Sequence, residues 1–241
     1  VLYRRWGSAR LQDLFHWIRE WDLPEIYAGT GMKGAEDAWY DVTTILEEWS
    51  QLGEAFCGGA TDLHKCFDQI VRQLVNKVLK VAGMPSKIHR TYMEYIDKVQ
   101  IFNSVAAGTV GQMYTKRTGI PQGDPFSMMI VALVMRPWVM EMRSISGVPR
   151  ILDDDLLVLA TDGDHAHGPP VWATSGGTAH RSHLQRAEEA FDATHNHLAA
   201  LGANVSPAKC YTFSSDPNAR AYLRKVKWRF FKETVPVVGD C

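Results

Sequence analysis

The sequence predicts an α+β fold in which helices pack on one face of a mainly antiparallel sheet. Three observations carry that expectation. Helical and strand-like segments are interspersed along the chain. Several strand-like runs are joined by tight turns, which favours hairpins over long crossovers. The chain has 241 residues, 46% hydrophobic and 22% charged, enough to bury a sizeable core as an ordinary globular protein.

Taken in order, Leu11, Leu14, Phe15, Ile18 and Trp21 fall at helical spacing and predict a helix over 9–21. Trp39, Val42, Ile45, Leu46 and Trp49 predict another over 36–52, with a glycine-rich loop at 29–34 between them. Gly58-Gly59 reads as a break before a short strand that ends at Asp62. Phe67, Ile70, Val71, Leu74, Val78 and Leu79 form one helical stripe, stopped by Gly83-Met84-Pro85. Ser86 can cap a helix that runs to about Lys98. Residues 99–118 are rich in β-formers and turn near Gly108, so they read as a hairpin. The turn-forming run 119–125 opens an apolar helix from Phe126 to Ser144, which Pro137 should kink. A hairpin over 148–161 follows, then a loop over 162–183. A helix over 183–201 ends at Gly202, and strands are expected near 209–213 and 226–238. No internal repeat is visible.

Net charge is −1, so no global basic footprint points to nucleic acid. Arg224, Lys225, Lys227, Arg229 and Lys232 nevertheless crowd around Trp228, Phe230 and Phe231. Such a patch either binds phosphates or forms a solvated basic edge. Cys57, Cys66, Cys210 and Cys241 form no CxxC pair and read as reduced thiols of an intracellular protein. No apolar run reaches the roughly 18 residues of a membrane span, and no signal-peptide pattern opens the chain. The chain begins at Val1 without Met and stops in a strand-like run, which reads as a piece of a longer protein.

The chemistry is concentrated in Ile151-Leu152-Asp153-Asp154-Asp155-Leu156-Leu157-Val158-Leu159. A strand–turn–strand unit would hold these carboxylates at its tip, where they repel one another unless a cation neutralises them. A solvated acidic turn is the plain alternative, although such turns usually carry Gly or Asn. A second acidic segment, Asp62-Leu63-His64-Lys65-Cys66-Phe67-Asp68, lies upstream. One carboxylate from each segment, meeting on adjacent strands, is the ligand set of a two-metal phosphoryl-transfer site. Mg²⁺ suits such hard oxygen ligands, with Mn²⁺ as a substitute, and the Leu63 carbonyl could complete one shell. Gly119-Ile120-Pro121-Gln122-Gly123-Asp124-Pro125 fixes a tight backbone that a ligand can approach, or serves as an ordinary helix-entry loop. His165, His167, His180 and His183 raise a zinc site as an option, against a plain polar insertion.

These segments, in this order, resemble the palm of reverse transcriptases. Asp62 followed five residues later by Phe67 resembles the first acidic motif of that family. Pro121-Gln122-Gly123 resembles its Pro-Gln-Gly motif, and Leu152-Asp153-Asp154-Asp155 its Tyr-Ala-Asp-Asp box. Gly202 to Lys209 is similar to the Gly…Lys motif that follows. The pattern looks closer to non-LTR retrotransposon and group II intron-like enzymes than to retroviral ones, and it spans residues 55–215.

The resemblance implies a polymerase palm with partial fingers. Residues 1–58 would be N-terminal helices and partial fingers, and 59–241 the palm, with 86–118 and 119–125 as inserted finger–palm elements and no thumb. It implies RNA-templated DNA synthesis, with RNA template, DNA primer and dNTPs as partners, flanking domains of a longer polyprotein, no membrane, and action in the nucleus. Asp62, Asp154 and Asp155 would bind two Mg²⁺ ions. Phe67 would be the steric gate beneath the sugar, or only a core residue. Gln122 and Gly123 would line the nucleotide and template pocket. Lys209 would approach the triphosphate, or be a solvated loop lysine. Leu152 and Asp153 depart from the box, so both Asp153-Asp154 and Asp154-Asp155 fit it. The second register is preferred because Leu156-Leu157-Val158 then matches the apolar residues after the box. The rival reading is a polymerase-derived scaffold that binds RNA or protein without catalysis. An RNA-templated RNA polymerase shares the metal logic, but a bulky Phe67 disfavours ribonucleotides.

Overall fold

The computed structural model describes residues 2–105, 109–162, 182–230 and 232–239. Helices α1 (Leu2–Asp13), α2 (Phe15–Trp21) and α3 (Ala35–Gln51) precede strand β1 (Phe56–Asp62). Then come α4 (Cys66–Gln69), α5 (Arg72–Val81), α6 (Ser86–Lys98), β2 (Ser104–Val105), β3 (Thr109–Val110) and α7 (Ser127–Ser144). The chain continues with β4 (Val148–Leu152), β5 (Asp155–Thr161), α8 (His183–Ala200), β6 (Tyr211–Ser214), α9 (Pro217–Leu223) and β7 (Val237–Val238).

Five strands form one sheet in the order β4-β5-β1-β6-β7, antiparallel except for the β6–β7 pair. This is the expected α+β layering. Opposed residues share a face of the pleat, so the register sorts the side chains. Gly58, Ala60 and Asp62 lie with Leu159, Leu157 and Asp155. Gly59 and Thr61 lie with Val158 and Leu156 on the other face. That second face is covered by α7 and α8, which are tied by the Trp138 indole N–H donating to Thr194 Oγ1 at 2.9 Å. The first face is covered by α3 at the far end from Asp62, where Ile45 and Trp49 pack on Val148 and Leu159. Its Asp62 end stays open.

The segment before α3 extends the sheet edge. Tyr27 N–H donates to the Ile151 carbonyl and Ile151 N–H to the Glu25 carbonyl, both at 2.9 Å. The Arg143 guanidinium forks onto the Glu25 carboxylate at 2.7 and 2.6 Å, which fastens the same segment to α7.

Several sequence expectations need correction. Gly58-Gly59 does not break the chain before β1 but sits inside it. The reason is aromatic crowding from both faces: a Cβ on Gly58 would overlap the Phe213 ring, and one on Gly59 would overlap Phe191. The helix expected over 9–21 is two helices that meet at Leu14, and the first begins at Leu2. The stripe from Phe67 is also two helices. Ile70 and Val71 turn extended (ψ 121° and 120°), and the Ile70 carbonyl accepts from Gly119 N–H at 2.9 Å instead of continuing a helix. Among the described residues of 226–238 only Val237–Val238 is a strand, and Trp228 is instead a buried core residue against Phe191. The turn near Gly108 and the histidines His165, His167 and His180 lie outside the described residues. Helix α7 runs on through Pro137.

Gly59→Ala should therefore cost about 1–3 kcal/mol, because its methyl carbon would come 2.6 Å from Phe191 Cε2 in a packed interior. Urea unfolding followed by circular dichroism measures this, and Gly59→Ala with Phe191→Leu should recover part of the loss.

Candidate active site

The β4–β5 hairpin turns through two residues, Asp153 and Asp154. Two-residue hairpin loops call for positive φ, and aspartate tolerates the left-handed region better than most residues. Asp153 takes φ +60°. Asp155 is the first residue of β5 and is the register partner of Asp62, the last residue of β1. Their side chains therefore emerge on one face, at the open end of the sheet.

The electrostatics match that placement. Burial, then the neighbouring Asp154 and the facing Asp62, raise the Asp155 carboxyl above its ordinary range, with Lys209 opposing them. Burial, then Asp154 and Asp155, push Asp153 up to about 6. Burial and the charges of Asp154 and Asp153 push the Cys66 thiol up to about 12, which places the turn against α4. Lys209 is the local counter-ion. Its ammonium donates to Asp62 Oδ2 at 3.3 Å and lies 3.2 Å from Oδ1. Asp62 Oδ1 and Asp153 Oδ1 are nonetheless buried and accept no hydrogen bond. Buried, hard oxygens that accept no hydrogen bond and lie beside like charges suit a divalent cation, for which the Lys209 ammonium is the stand-in at Asp62. Among the described residues no three metal-ligating side chains are gathered closely enough to cage an ion. That is compatible with Mg²⁺, which is commonly held by one or two carboxylates and completed by water and substrate phosphates.

The other sequence-derived residues fall in two places. Leu63 continues β1 as a bridge to Val205, built from His64 N–H and the Asp62 carbonyl, which leaves the Leu63 carbonyl outside the ladder. Phe67 is half-buried against the main core, and its carbonyl accepts from Ile120 N–H at 2.8 Å. Arg72 Nε donates to the Gly119 carbonyl at 2.8 Å. These bonds clamp the 119–125 loop onto α4, so Phe67 and the exposed Gln122 and Gly123 are neighbours through the backbone. Gly119 and Gly123 both take positive φ, and a Cβ on Gly119 would press on Asp68. Asp124 is buried, and its Oδ1 accepts from Phe126 N–H at 2.9 Å at the start of α7.

Sequence reading passed over a groove of about 510 Å³ that leads from Asp62, Asp155 and Lys209 to α3. Trp39, Val42, Leu157 and Phe213 give it apolar walls. Arg150, on the same floor, is ion-paired with Asp41, whose carboxylate also accepts from the Tyr27 hydroxyl at 2.7 Å. No pattern in the chain marks Trp39 as more than a core residue of α3, yet it is 75% exposed.

Residues 23–231 match the family described as reverse transcriptase (RNA-dependent DNA polymerase). The chain belongs to the reverse transcriptase family. Solved structures agree on the fold. Apo telomerase from Candida tropicalis aligns with a TM-score of 0.61 and 11% identity, over 88% of this chain and 36% of that one. The same organism's telomerase in complex with a TWJ fragment of telomeric RNA gives a TM-score of 0.58 at 10% identity, over 88% and 33%. Telomerase from Candida albicans, with a TWJ fragment of telomeric RNA, gives 0.54 at 14% identity, over 90% and 35%. The chain thus spans about a third of the length of these telomerase chains. No curated protein matches it. None of the described helices is long and apolar enough to cross a membrane.

Asp153→Asn should stabilise the metal-free protein by roughly 0.5–1 kcal/mol at pH 7 to 8, since it removes one of several crowded, half-buried like charges. The folded-state pKa of Asp153 is raised, so the penalty is present above about pH 6 and disappears as pH falls toward the unfolded value. The gain over wild type in thermal or urea unfolding should accordingly vanish by about pH 4.

Proposed function

We propose that this chain is the palm, with part of the fingers, of an RNA-directed DNA polymerase that extends a DNA primer with dNTPs on an RNA template. The observation that carries this reading is the register pairing of Asp62 with Asp155 at the tip of an acidic hairpin, in a chain of this family. Residues 1–58 form the finger part and 59–241 the palm in this reading. The motif pattern resembles that of the non-LTR retrotransposon and group II intron-like enzymes, and action inside the cell, in the nucleus, belongs to the same reading.

Asp62, Asp154 and Asp155 would hold two Mg²⁺ ions, or Mn²⁺ in their place, and the chemistry supplied there is neutralisation of phosphate charge and activation of the primer hydroxyl. The primer hydroxyl gives its proton to solvent water, the 3′-oxygen forms a bond to the α-phosphorus as the bond to the bridging oxygen breaks, and pyrophosphate leaves. Positioning does most of the work in such transfers. Lys209 exchanges Asp62 for the triphosphate, and its Nζ can give a proton to the departing pyrophosphate. Phe67 lies beneath the sugar and rejects a 2′-hydroxyl by clash. Its anchoring in the core makes the gate stiff. Gln122 and Gly123 line the nucleotide and template side.

In the full-length protein, Asp155→Asn, and Asp154→Ala with Asp155→Ala, should lower primer extension on an RNA template by at least about 10³-fold while the thermal midpoint holds. Extension from dNTPs should exceed that from rNTPs, and Phe67→Ala should narrow the difference. Undiminished extension by the double variant would sink the polymerase reading.

A further inference from the structure

Helix α1 is seated directly on the 119–125 loop. A Cβ on Gly7 would lie 3.1 Å from Pro125 Cγ, tighter than an ordinary contact, so glycine suits this close approach. Trp6 meets Phe126 edge-on at 5.9 Å, and Tyr3 stacks on Tyr95 of α6 at 3.3 Å between ring centroids. This packing brings Arg4 Nη2 to 3.9 Å from where a Gly123 Cβ would sit. Gln122, Gly123, Arg4 and Arg5 are all exposed. Neither arginine has an ion-pair or hydrogen-bond partner among the described residues.

The cationic character continues across α6. Lys87 and Arg90 are exposed, three residues apart on one helix face, and neither is ion-paired among the described residues. Trp6, Arg10 and Lys87 line one shallow groove, so the α1 and α6 faces are contiguous. The nearby acids are already engaged: Asp13 with Arg10 at 2.7 Å, Asp97 with Arg72 at 3.6 Å and Glu94 with Lys98 at 4.0 Å. A chain of net charge −1 thus carries a basic face beside the Gln122-Gly123 turn; one further acid near it, Asp124, is buried behind Arg4 and accepts from Phe126 N–H.

We infer that the α1–α6 face is a contact surface for the phosphate backbone of the RNA template strand, with Arg4 gripping a phosphate beside the Gly123 turn. The inference rests on the polymerase reading for the identity of the strand. Its chemistry is that of guanidinium on phosphate, charge-assisted and bidentate. A strand is favoured over a free triphosphate because neighbouring residues on a helix point about 100° apart. Arg4 and Arg5 therefore splay and meet successive phosphates, where a triphosphate would need them to converge. The exposed glycine backbone lets the strand lie close without a side chain in the way.

The test is fluorescence anisotropy of a labelled single-stranded RNA bound to the full-length protein, without divalent metal or dNTP, over a salt series. Arg4→Ala should lower the slope of log affinity against log salt by about 0.7, and Arg4→Ala with Arg5→Ala by about 1.4. Arg4→Lys should retain the slope, since the charge remains. Thermal midpoints should not move, because these side chains are exposed. Binding of dATP alone, followed by calorimetry with Mg²⁺, should be unaffected by Arg4→Ala. An unchanged RNA slope in the double variant overturns the inference, and so does weakened dATP binding with the RNA slope intact. The RNA slope is read without catalysis, so its failure is separate from that of the polymerase reading, which turns on extension by the Asp155 variants.

Discussion

Two carboxylates face each other at the tip of this sheet because the backbone holds them there. Like charges directly opposite on neighbouring strands cost up to about 1 kcal/mol, and burial adds to it. Against that stands a ladder of seven register pairs from Phe56↔Thr161 to Asp62↔Asp155, each hydrogen bond contributing about 0.5–1.5 kcal/mol. The ladder wins, and a side chain cannot leave its face without a one-residue slip that would turn Leu157 and Leu159 away from α3 and Leu156 and Val158 away from α7. The geometry of the site is a consequence of core packing some distance behind it.

The glycine pair shows how tightly the two are linked. β1 lies between β5 and β6 and is pressed by aromatics from both faces, Phe213 on one and Phe191 on the other. Any side chain at Gly58 or Gly59 would push a ring away and tilt the strand that carries Asp62. Rigid support is also needed at the far wall. The Arg150–Asp41–Tyr27 contacts join the floor of the groove to α3 and to the segment that borders β4. The residues that could move are then those at the rim, Lys209 foremost, whose side chain is 63% exposed.

Much of this was legible in the sequence, for identifiable reasons. Helices α3, α6, α7 and α8 have long periodic stripes or clear caps, and the 148–161 hairpin has apolar strands around an acidic turn. The convergence of Asp62 with the acidic turn followed from motif order together with an antiparallel layer. What failed was local structure set by distant partners. The helical stripe from Phe67 is broken because Gly119 takes the Ile70 carbonyl, a contact 49 residues away in the chain. Gly58-Gly59 looks like punctuation until the rings that need the space are known. A strand was expected over 226–238, whereas Trp228 packs beside Phe191 and, among the described residues there, only Val237–Val238 joins the sheet. Helix α9 was missed although its signal was present: Asp216 caps Asn218 and Ala219, and Pro217 occupies the first helical turn.

Charge is the property that composition hides most completely. A net of −1 describes neither the hairpin, where neighbouring carboxylates raise the proton affinity of Asp153 and Asp155, nor the α1–α6 face, where Arg4, Arg5, Lys87 and Arg90 have no ion-pair partner among the described residues. The two regions are joined by covalent and hydrogen-bonded structure: Asp62 leads in five residues to Phe67, Phe67 and Ile70 hold the 119–125 loop, and that loop carries α1. Such segregation is what a polyanion with a reactive end requires. In the proposed reading the backbone would be attracted where the protein is positive, and the reacting phosphate would be brought to a place that repels it until cations intervene. An intermixed surface of the same net charge would do neither, so the arrangement along this α4–loop–α1 connection carries information that no count of charges contains.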